Sequence, residues 1–501
     1  MPTGPAAAGS SAALSESAKL RVLRVVAGSF LLAFFVARIA GPVADLDMWH
    51  EMALIRESLA AGHLLTSDVY AYTPTIRPVV DHEWGAGALL YLVVQTFGGW
   101  AIVPLKYLVA LLTGAAVLRC ARLRRVGFEE FTALTPLAIP LFAIGCATLR
   151  AQAYSFLFFA VLLCLLELDS RGKRRWLVAA APLFVVWVNF HGGCVVGVIT
   201  LGIYGMEQMV RRRPALHIFG ITAASAAALV VNPYGVAYYR QLWNALRMAR
   251  PEITEWYPIS VASPFHQALF WTTVVAAAYA VSQAGWRESR GALILAAMAG
   301  GTVLHLRMLP FYAVAWAAYV PSYVNGIALG GWIRGLFGRR EGATAVCLIL
   351  TMFFTVMAIE VGFYKLVVPN DRFPVGAVRY LKAIQFHGNV MTHFEHGAYI
   401  SWWLYPDVKV SVDSRYETAF PPQVVDQCFA FYEAQPGWQG ILGKFPTDVV
   451  MTPTVTAVAK RMPATDWKLV YRDEWFQIYE RPGLNLPFRE NAAGRFETSF
   501  P

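Results

Sequence analysis

Charge is what this sequence has least of. Only 15% of its residues are Asp, Glu, Lys or Arg, against about 25% in a soluble domain. Hydrophobic residues make up 57%. A soluble core cannot hide that much apolar surface, which excludes a disordered chain and a plain cytosolic enzyme. Cysteine is sparse as well. The six are Cys120, Cys146, Cys164, Cys194, Cys347 and Cys428, with no CxxC pair among them. Zinc and redox motifs are therefore absent. Five of the six sit in apolar stretches and Cys428 stands alone in the polar C-terminal part, so no disulfide forms within that part. All six read as small apolar side chains. No repeat with a period of about 20–50 residues is visible.

What is present is a series of apolar runs. Residues 1–20 are rich in Ala, Ser and Gly and read as a disordered N-terminus. Lys19, Arg21 and Arg24 then precede an apolar run reaching about residue 44. That run is long for a signal peptide and has no clean cleavage site, so it reads as a retained first transmembrane helix. Further spans fall near 100–119, 131–148, 151–168, 176–190, 192–210, 216–232, 264–284, 289–303, 309–330 and 344–363. Residues 85–99 are apolar but short and read as an interfacial or re-entrant helix. The expected fold is a polytopic α-helical membrane protein with about 11–13 spans.

The net charge of +10 would point to nucleic acid in a soluble protein. Here the basic residues occupy alternate loops: Arg122/Arg124/Arg125, Arg171/Lys173/Arg174/Arg175, Arg211/Arg212/Arg213, Arg287/Arg290 and Arg334/Arg339/Arg340. With those loops cytoplasmic, the positive-inside rule is obeyed at every turn. The N-terminus is then inside, and the loop 45–99 and everything after 364 are outside. From 364 the composition changes. Strand-like runs at Asn389–Phe394, Lys409–Val412, Asp448–Thr452 and Trp467–Glu480 alternate with helix-like ones such as Pro422–Ala434. This predicts a transmembrane domain over 21–363, a small extracytoplasmic α/β domain over 364–485, and a loose tail over 486–501.

The first outer loop carries the richest chemistry. It opens with Asp45, Asp47, Trp49, His50 and Glu51 and closes with Asp81, His82, Glu83 and Trp84. Acids at both ends of one loop suit a site at the membrane surface, reaching a lipid-borne substrate and a water-borne acceptor together. A carboxylate there takes a proton from an attacking hydroxyl or holds a divalent cation such as Mg or Mn, with Asp47 and Glu83 as the candidate ligands. The same residues also suit ordinary interfacial polar positions. Other polar groups punctuate the same side: Arg150 and Gln152, Asn189 and His191, Tyr234, Glu252 and Glu255, then His305 and Arg307. Ionisable groups at a bilayer edge are costly and often functional, and Arg150 and Arg307 suit a phosphate. Each alone suits an interface anchor too; the one-sidedness of the set favours a site. In the C-terminal part His393, Glu395, His396, Tyr399, Trp402, Trp403, Asp413, Arg415 and Tyr416 stand out, but they form no metal framework and are not expected to catalyse.

The runs DLDMWHE, SDVYAYT, DHEW, LRAQ, WVNFHGG, NPYG, EWYP and DSRYE, over most of 22–480, resemble a group of bacterial membrane proteins near the GT-C superfamily of glycosyltransferases. The resemblance extends to the acidic motif Asp45/Asp47, the polar cluster His82/Glu83, the span count and the outer C-terminal domain. It departs from the superfamily in lacking a WWD-type motif and in carrying Asp-His-Glu-Trp where Lys-Pro-Pro-Leu or His-Pro-Pro-Leu is common.

That resemblance implies an inverting hexosyl- or pentosyltransferase of the bacterial cytoplasmic membrane. The donor is a polyprenyl-phosphate sugar, and the acceptor a glycan, lipid or protein. Asp47 or Asp45 is the implied base, and Arg150, His191 and Arg307 bind the donor phosphate. Trp49, His50, His82, Glu83, Asn189, Tyr234 and His305 line the substrate site. Membrane lipids are the expected surroundings and nucleic acid is not a partner. Two rivals stand beside this reading: a transporter or polymerase of lipid-linked glycans, and a non-catalytic envelope assembly protein.

Overall fold

The structure is a computed structural model that describes residues 6–248, 250, 252–491 and 498–499. Long helices dominate its first two thirds: α1 (Ala6–Ile39), α2 (Met48–Ala61), α3 (Trp84–Phe97), α4 (Ile102–Leu123), α5 (Phe128–Ala143), α6 (Ala151–Ser170), α7 (Ala180–Phe190) and α8 (Cys194–Val210). They continue with α9 (Leu216–Ala228), α10 (Ala237–Arg247), α11 (Pro264–Ala284), α12 (Ala292–Leu304), α13 (Leu309–Val324), α14 (Ala328–Gly338) and α15 (Arg340–Val361). The expected disordered stretch 1–20 overlaps α1 from Ala6 onward; residues 1–5 lie outside the described residues.

Among the described residues four helical stretches are long and apolar enough to cross a bilayer: Glu16–Ile39, Gly99–Leu123, Ala151–Ser170 and Arg340–Val361. Helices α3, α8, α9 and α12 are apolar but shorter. Only 11% of the apolar window of α15 is buried, with Ile349, Met352 and Phe353 exposed. Apolar area of that kind is costly in water and calls for lipid or a partner. Helix α13 occupies the centre of the helical layer, where Tyr312 and Trp316 are fully buried against α11. The short apolar stretch at 85–99 forms α3 as far as Phe97, a helix of 14 residues. At about 1.5 Å per residue it is too short for the ~30 Å hydrocarbon core.

The last third is an α/β unit. Six strands lie in the order β3 (Val408–Val410), β2 (Gly388–Met391), β4 (Val449–Pro453), β6 (Phe476–Glu480), β5 (Lys468–Arg472) and β7 (Arg489–Glu490). Strand β2 runs parallel to β3 and β4, while β6 is antiparallel to both β4 and β5. Helices α16 (Val375–Ala383), α17 (Phe394–Leu404) and α18 (Pro422–Tyr432) cover it. The tail is partly paired: β7 joins the sheet edge, and β8 (Thr498–Ser499) pairs with β1 (Val367–Val368).

This unit is joined tightly to the first loop. Val410 donates its N–H to the Tyr70 carbonyl at 2.9 Å and accepts from Tyr72 N–H at 3.1 Å, so residues 70–72 extend the sheet edge at β3. Trp49 of α2 packs edge-on to Tyr399 of α17 at 4.8 Å and to Phe373 at 5.9 Å. Arg415 bridges two buried carboxylates, Asp68 of the loop at 2.5 Å and Asp413 at 2.6 Å. A buried pair of this kind needs its partners, because a lone charge in such a place is expensive.

Candidate functional site

Two helix ends bring the acidic loop to its partners. Lys106 of α4 donates to the carbonyls of Ile39, Gly41 and Ala147 at 3.3, 2.9 and 3.2 Å. It thereby ties the C-terminal end of α1 to the turn before α6. Asp45 follows the first of these segments, and Thr148 and Arg150 the second. Asp45 accepts from Thr148 Oγ1 at 2.6 Å and from Asp47 N–H at 3.0 Å.

Arg150 is the hub. Its Nη2 donates to Asp47 Oδ2 at 2.8 Å, its Nε lies 3.6 Å from Asp45 Oδ1, and its Nη1 pairs with Glu255. Burial pushes the Asp45 carboxyl up; Arg150 opposes the shift and Asp47 adds to it. Burial alone would raise Glu255 as well, but Arg150 and Arg307 outweigh it and hold that carboxyl below its usual range.

Behind this cluster lies a buried carboxyl. Glu51, in the first turn of α2, is 4% exposed. Burial first, then the charges of Glu83, Asp47 and Asp45, drive it well above the usual carboxylate range. Its Oε1 lies 3.4 Å from the N–H of Ala151. Gly87 of α3 lets the two helices close: a Cβ there would sit 2.7 Å from the Glu51 carbonyl.

A histidine pair stands beside the acids. Nε2 of His82 and Nε2 of His191 each lie 3.5 Å from Glu83 Oε1. His191 Nδ1 accepts from Gly193 N–H at 2.8 Å and lies 2.8 Å from Ser155 Oγ. A backbone N–H can only donate, so Nδ1 carries no proton and Nε2 carries it, facing Glu83. Ser155 Oγ accepts from Trp187 Nε1 at 2.7 Å and has its own proton left for His191. Burial first, then the charges of Arg307, His82 and Arg150, hold His191 well below its ordinary value. It is a neutral imidazole.

A cationic corner adjoins the cluster. The guanidiniums of Arg250 and Arg307 lie 4.0 and 4.3 Å from the Trp256 ring centroid. His305 Nδ1 is 2.8 Å from the Trp256 carbonyl.

Asp45, Asp47, Glu83, Arg150 and His191 therefore converge, with Arg307 close enough to bias both His191 and Glu255. Glu51, Glu255, Ser155 and Arg250 complete the set. Glu51 and Glu255 stand inside the quoted motifs without a role, Ser155 reads as part of an apolar span, and Arg250 carries no signal.

Several expected substrate contacts lie elsewhere. Trp49 is 1% exposed and packs against the α/β unit; it is a packing residue, because no surface remains for a substrate. His50 is buried, 2.9 Å from Ser414 Oγ, and burial lowers it to about 4. Asn189 accepts from Trp84 Nε1 at 2.8 Å and donates to the Val185 and Val231 carbonyls. Tyr234 sits beside Asp81.

The metal expectation does not fit these donors. Among the described residues no group of three or more His, Cys, Asp or Glu side chains is arranged to hold an ion. Asp47 faces Arg150, and Glu83 faces two histidines. No family model and no curated protein matches the chain.

Proposed function

We propose that this protein is a GT-C-like membrane glycosyltransferase. It moves a sugar from a polyprenyl-phosphate donor to an acceptor hydroxyl on the outer face of a bacterial cytoplasmic membrane. The observation that carries the proposal is the convergence of Asp45, Asp47, Glu51, Glu83, Arg150, His191 and Glu255 at one end of an apolar helical layer.

Two polar ends support the topology. Arg124, Glu167, Glu207, Arg211 and Arg290 meet at the opposite end from the acidic cluster. Helices α1, α4 to α9, α11 to α13 and α15 run alternately between these ends, which supports about eleven crossings. The shorter ones then meet a locally thin bilayer or pack inside the bundle. The α/β unit stands on the acidic side, and α3 lies at the interface.

The chemistry is a single displacement with inversion. The acceptor oxygen attacks the anomeric carbon, the sugar–phosphate bond breaks, and polyprenyl phosphate leaves with the electron pair. Asp47 takes the hydroxyl proton: its side chain is 26% exposed against 11% for Asp45, so it is the aspartate an acceptor reaches. Asp45 and Arg150 position it. Arg307 and Arg250, whose guanidiniums meet at the Trp256 ring, face the departing phosphate charge. Neutral His191 donates through Nε2 and steadies Glu83.

The test is sugar transfer from a polyprenyl-phosphate donor by purified protein, comparing Asp47→Asn with wild type. A non-catalytic assembly role draws on one observation, that the acids are paired within the chain itself; it predicts no transfer by either protein.

A further inference from the structure

A second polar site lies at the other end of the bundle. A cavity of about 820 Å³ opens there, between the C-terminal ends of α4, α6, α11 and α13 and the turn before α12. Its volume is in the range of small-molecule sites. Arg124, Arg125, Arg171, Lys173 and Arg290 line it, and Glu288 is the acid among the lining residues.

Scattered loop arginines are what the positive-inside rule produces, and alone they imply no ligand. The arrangement here is more ordered. Three guanidiniums share one buried carboxylate: Glu167 lies 2.9 Å from Arg124, 3.1 Å from Arg171 and 3.5 Å from Arg290. One negative charge cannot neutralise three positive ones, so the wall keeps a positive surplus. The floor is also fixed in advance. Arg124 has a side chain only 3% exposed. It donates to Ser322 Oγ at 2.8 Å and to the Arg290 carbonyl at 2.9 Å, and lies over Tyr319 at 4.8 Å. Burial, with Arg124, Arg213 and Arg171 nearby, holds Arg290 below the usual guanidinium range against the pull of Glu167. A bound anion would relieve that strain. Guanidinium groups around a roomy polar cavity favour phosphate oxygens, which accept paired N–H bonds.

We propose that this cavity binds a phosphorylated anion, either the headgroup of an anionic lipid or a soluble phosphate compound, through Arg125, Arg171, Lys173 and Arg290. The site is independent of the acidic cluster and of the transferase reading.

The experiment uses the full chain in two arms. In one, inorganic pyrophosphate is titrated calorimetrically into protein in phosphatidylcholine nanodiscs. In the other, protein extracted from phosphatidylcholine–phosphatidylglycerol vesicles is weighed by native mass spectrometry for retained phosphatidylglycerol. Wild type binds in at least one arm, and the arm that responds names the source. Arg125→Gln with Lys173→Gln weakens binding by about tenfold or more. Arg125→Lys with Lys173→Arg keeps it. Arg212→Gln with Arg339→Gln, an equal charge loss outside the cavity, leaves it unchanged. No binding by wild type in either arm overturns the proposal. So does unaltered binding by the first pair, or an equal loss in the Arg212/Arg339 pair. Should the first pair fail to fold, Lys173→Gln alone, in an exposed turn, carries the same comparison.

Discussion

His191 presents Nε2 to Glu83 Oε1 across 3.5 Å while its Nδ1 accepts a backbone N–H from Gly193. The second contact fixes the tautomer, and the first uses it. Protonating Nδ1 would set two donors against each other. The stability attached to this neutral imidazole is complete above the unfolded histidine value of about 6.5 and is lost as pH falls toward the depressed folded value. Replacing His191 with Gln is expected to flatten the acid side of the melting-temperature profile below about pH 6.5. An acid limb as steep as that of wild type would mean that His191 does not stay neutral in the fold.

Asp81 works with the opposite sign. Burial pushes its carboxyl up to about 6, against an unfolded value of 3.8. A raised acid costs stability as pH climbs through that window, and the cost is full above about pH 6. That rise corresponds to about 3 kcal/mol at most; Asp81 is only half-buried, which leaves about 1 kcal/mol. Asp81→Asn keeps an oxygen for the Glu83 N–H, at 3.0 Å in the present structure. The variant should melt higher than wild type at pH 7.5 and equally at pH 4. Equal melting at both values would place Asp81 in contact with water.

Arg150 holds Asp45, Asp47 and Glu255 together. Its removal leaves three acids facing one another. Full burial would make that cost about 3–5 kcal/mol; with 29% of the side chain exposed, about 2 kcal/mol is expected for Arg150→Gln. Asp47→Asn alone should cost less. The double variant should cost less than the sum of the two singles, with a coupling of about 1 kcal/mol. Strict additivity in denaturation measurements would show that the pair does not interact.

The loop and the α/β unit depend on Arg415, whose side chain is 2% exposed between Asp68 and Asp413. Arg415→Gln strands both carboxylates, and a loss of about 3–5 kcal/mol is expected. Lysine should not rescue it, since Arg415 reaches Asp413 through both Nε and Nη2, at 2.9 and 2.6 Å. Limited proteolysis reads the effect directly: the α/β unit should become cleavable in Arg415→Lys and stay resistant in wild type.

The polar ends of this fold are visible in the sequence. Acids and histidines recur where apolar runs stop, so the meeting of Asp45, Asp47, Arg150 and His191 follows from which ends face the same way. The sheet is visible as well. The runs at Asp448–Thr452 and Trp467–Glu480 become β4, β5 and β6, with Asp473 forming the β5–β6 turn by accepting from Trp475 N–H and Phe476 N–H. Partnership across the chain is not visible. Asp68 is one acid within the SDVYAYT run and Arg415 one member of the C-terminal polar set until folding brings them together. Trp49 stands among the expected substrate contacts, yet it packs on α17, because burial depends on what lies opposite. Ser155 looks like any small residue in an apolar span; only the nearness of Trp187 and His191 gives it a role.

The most direct measurement is sugar transfer from a polyprenyl-phosphate donor by purified wild type, Asp47→Asn and Arg307→Gln, with melting curves to confirm that each is folded. Wild type should transfer. Asp47→Asn should lose about 10²-fold or more in kcat, the scale of a general base, while keeping donor binding. Arg307→Gln should lose rate through the leaving phosphate. Full activity in a folded Asp47→Asn protein, or no transfer by wild type with any polyprenyl-phosphate sugar, would contradict a transferase built on this aspartate.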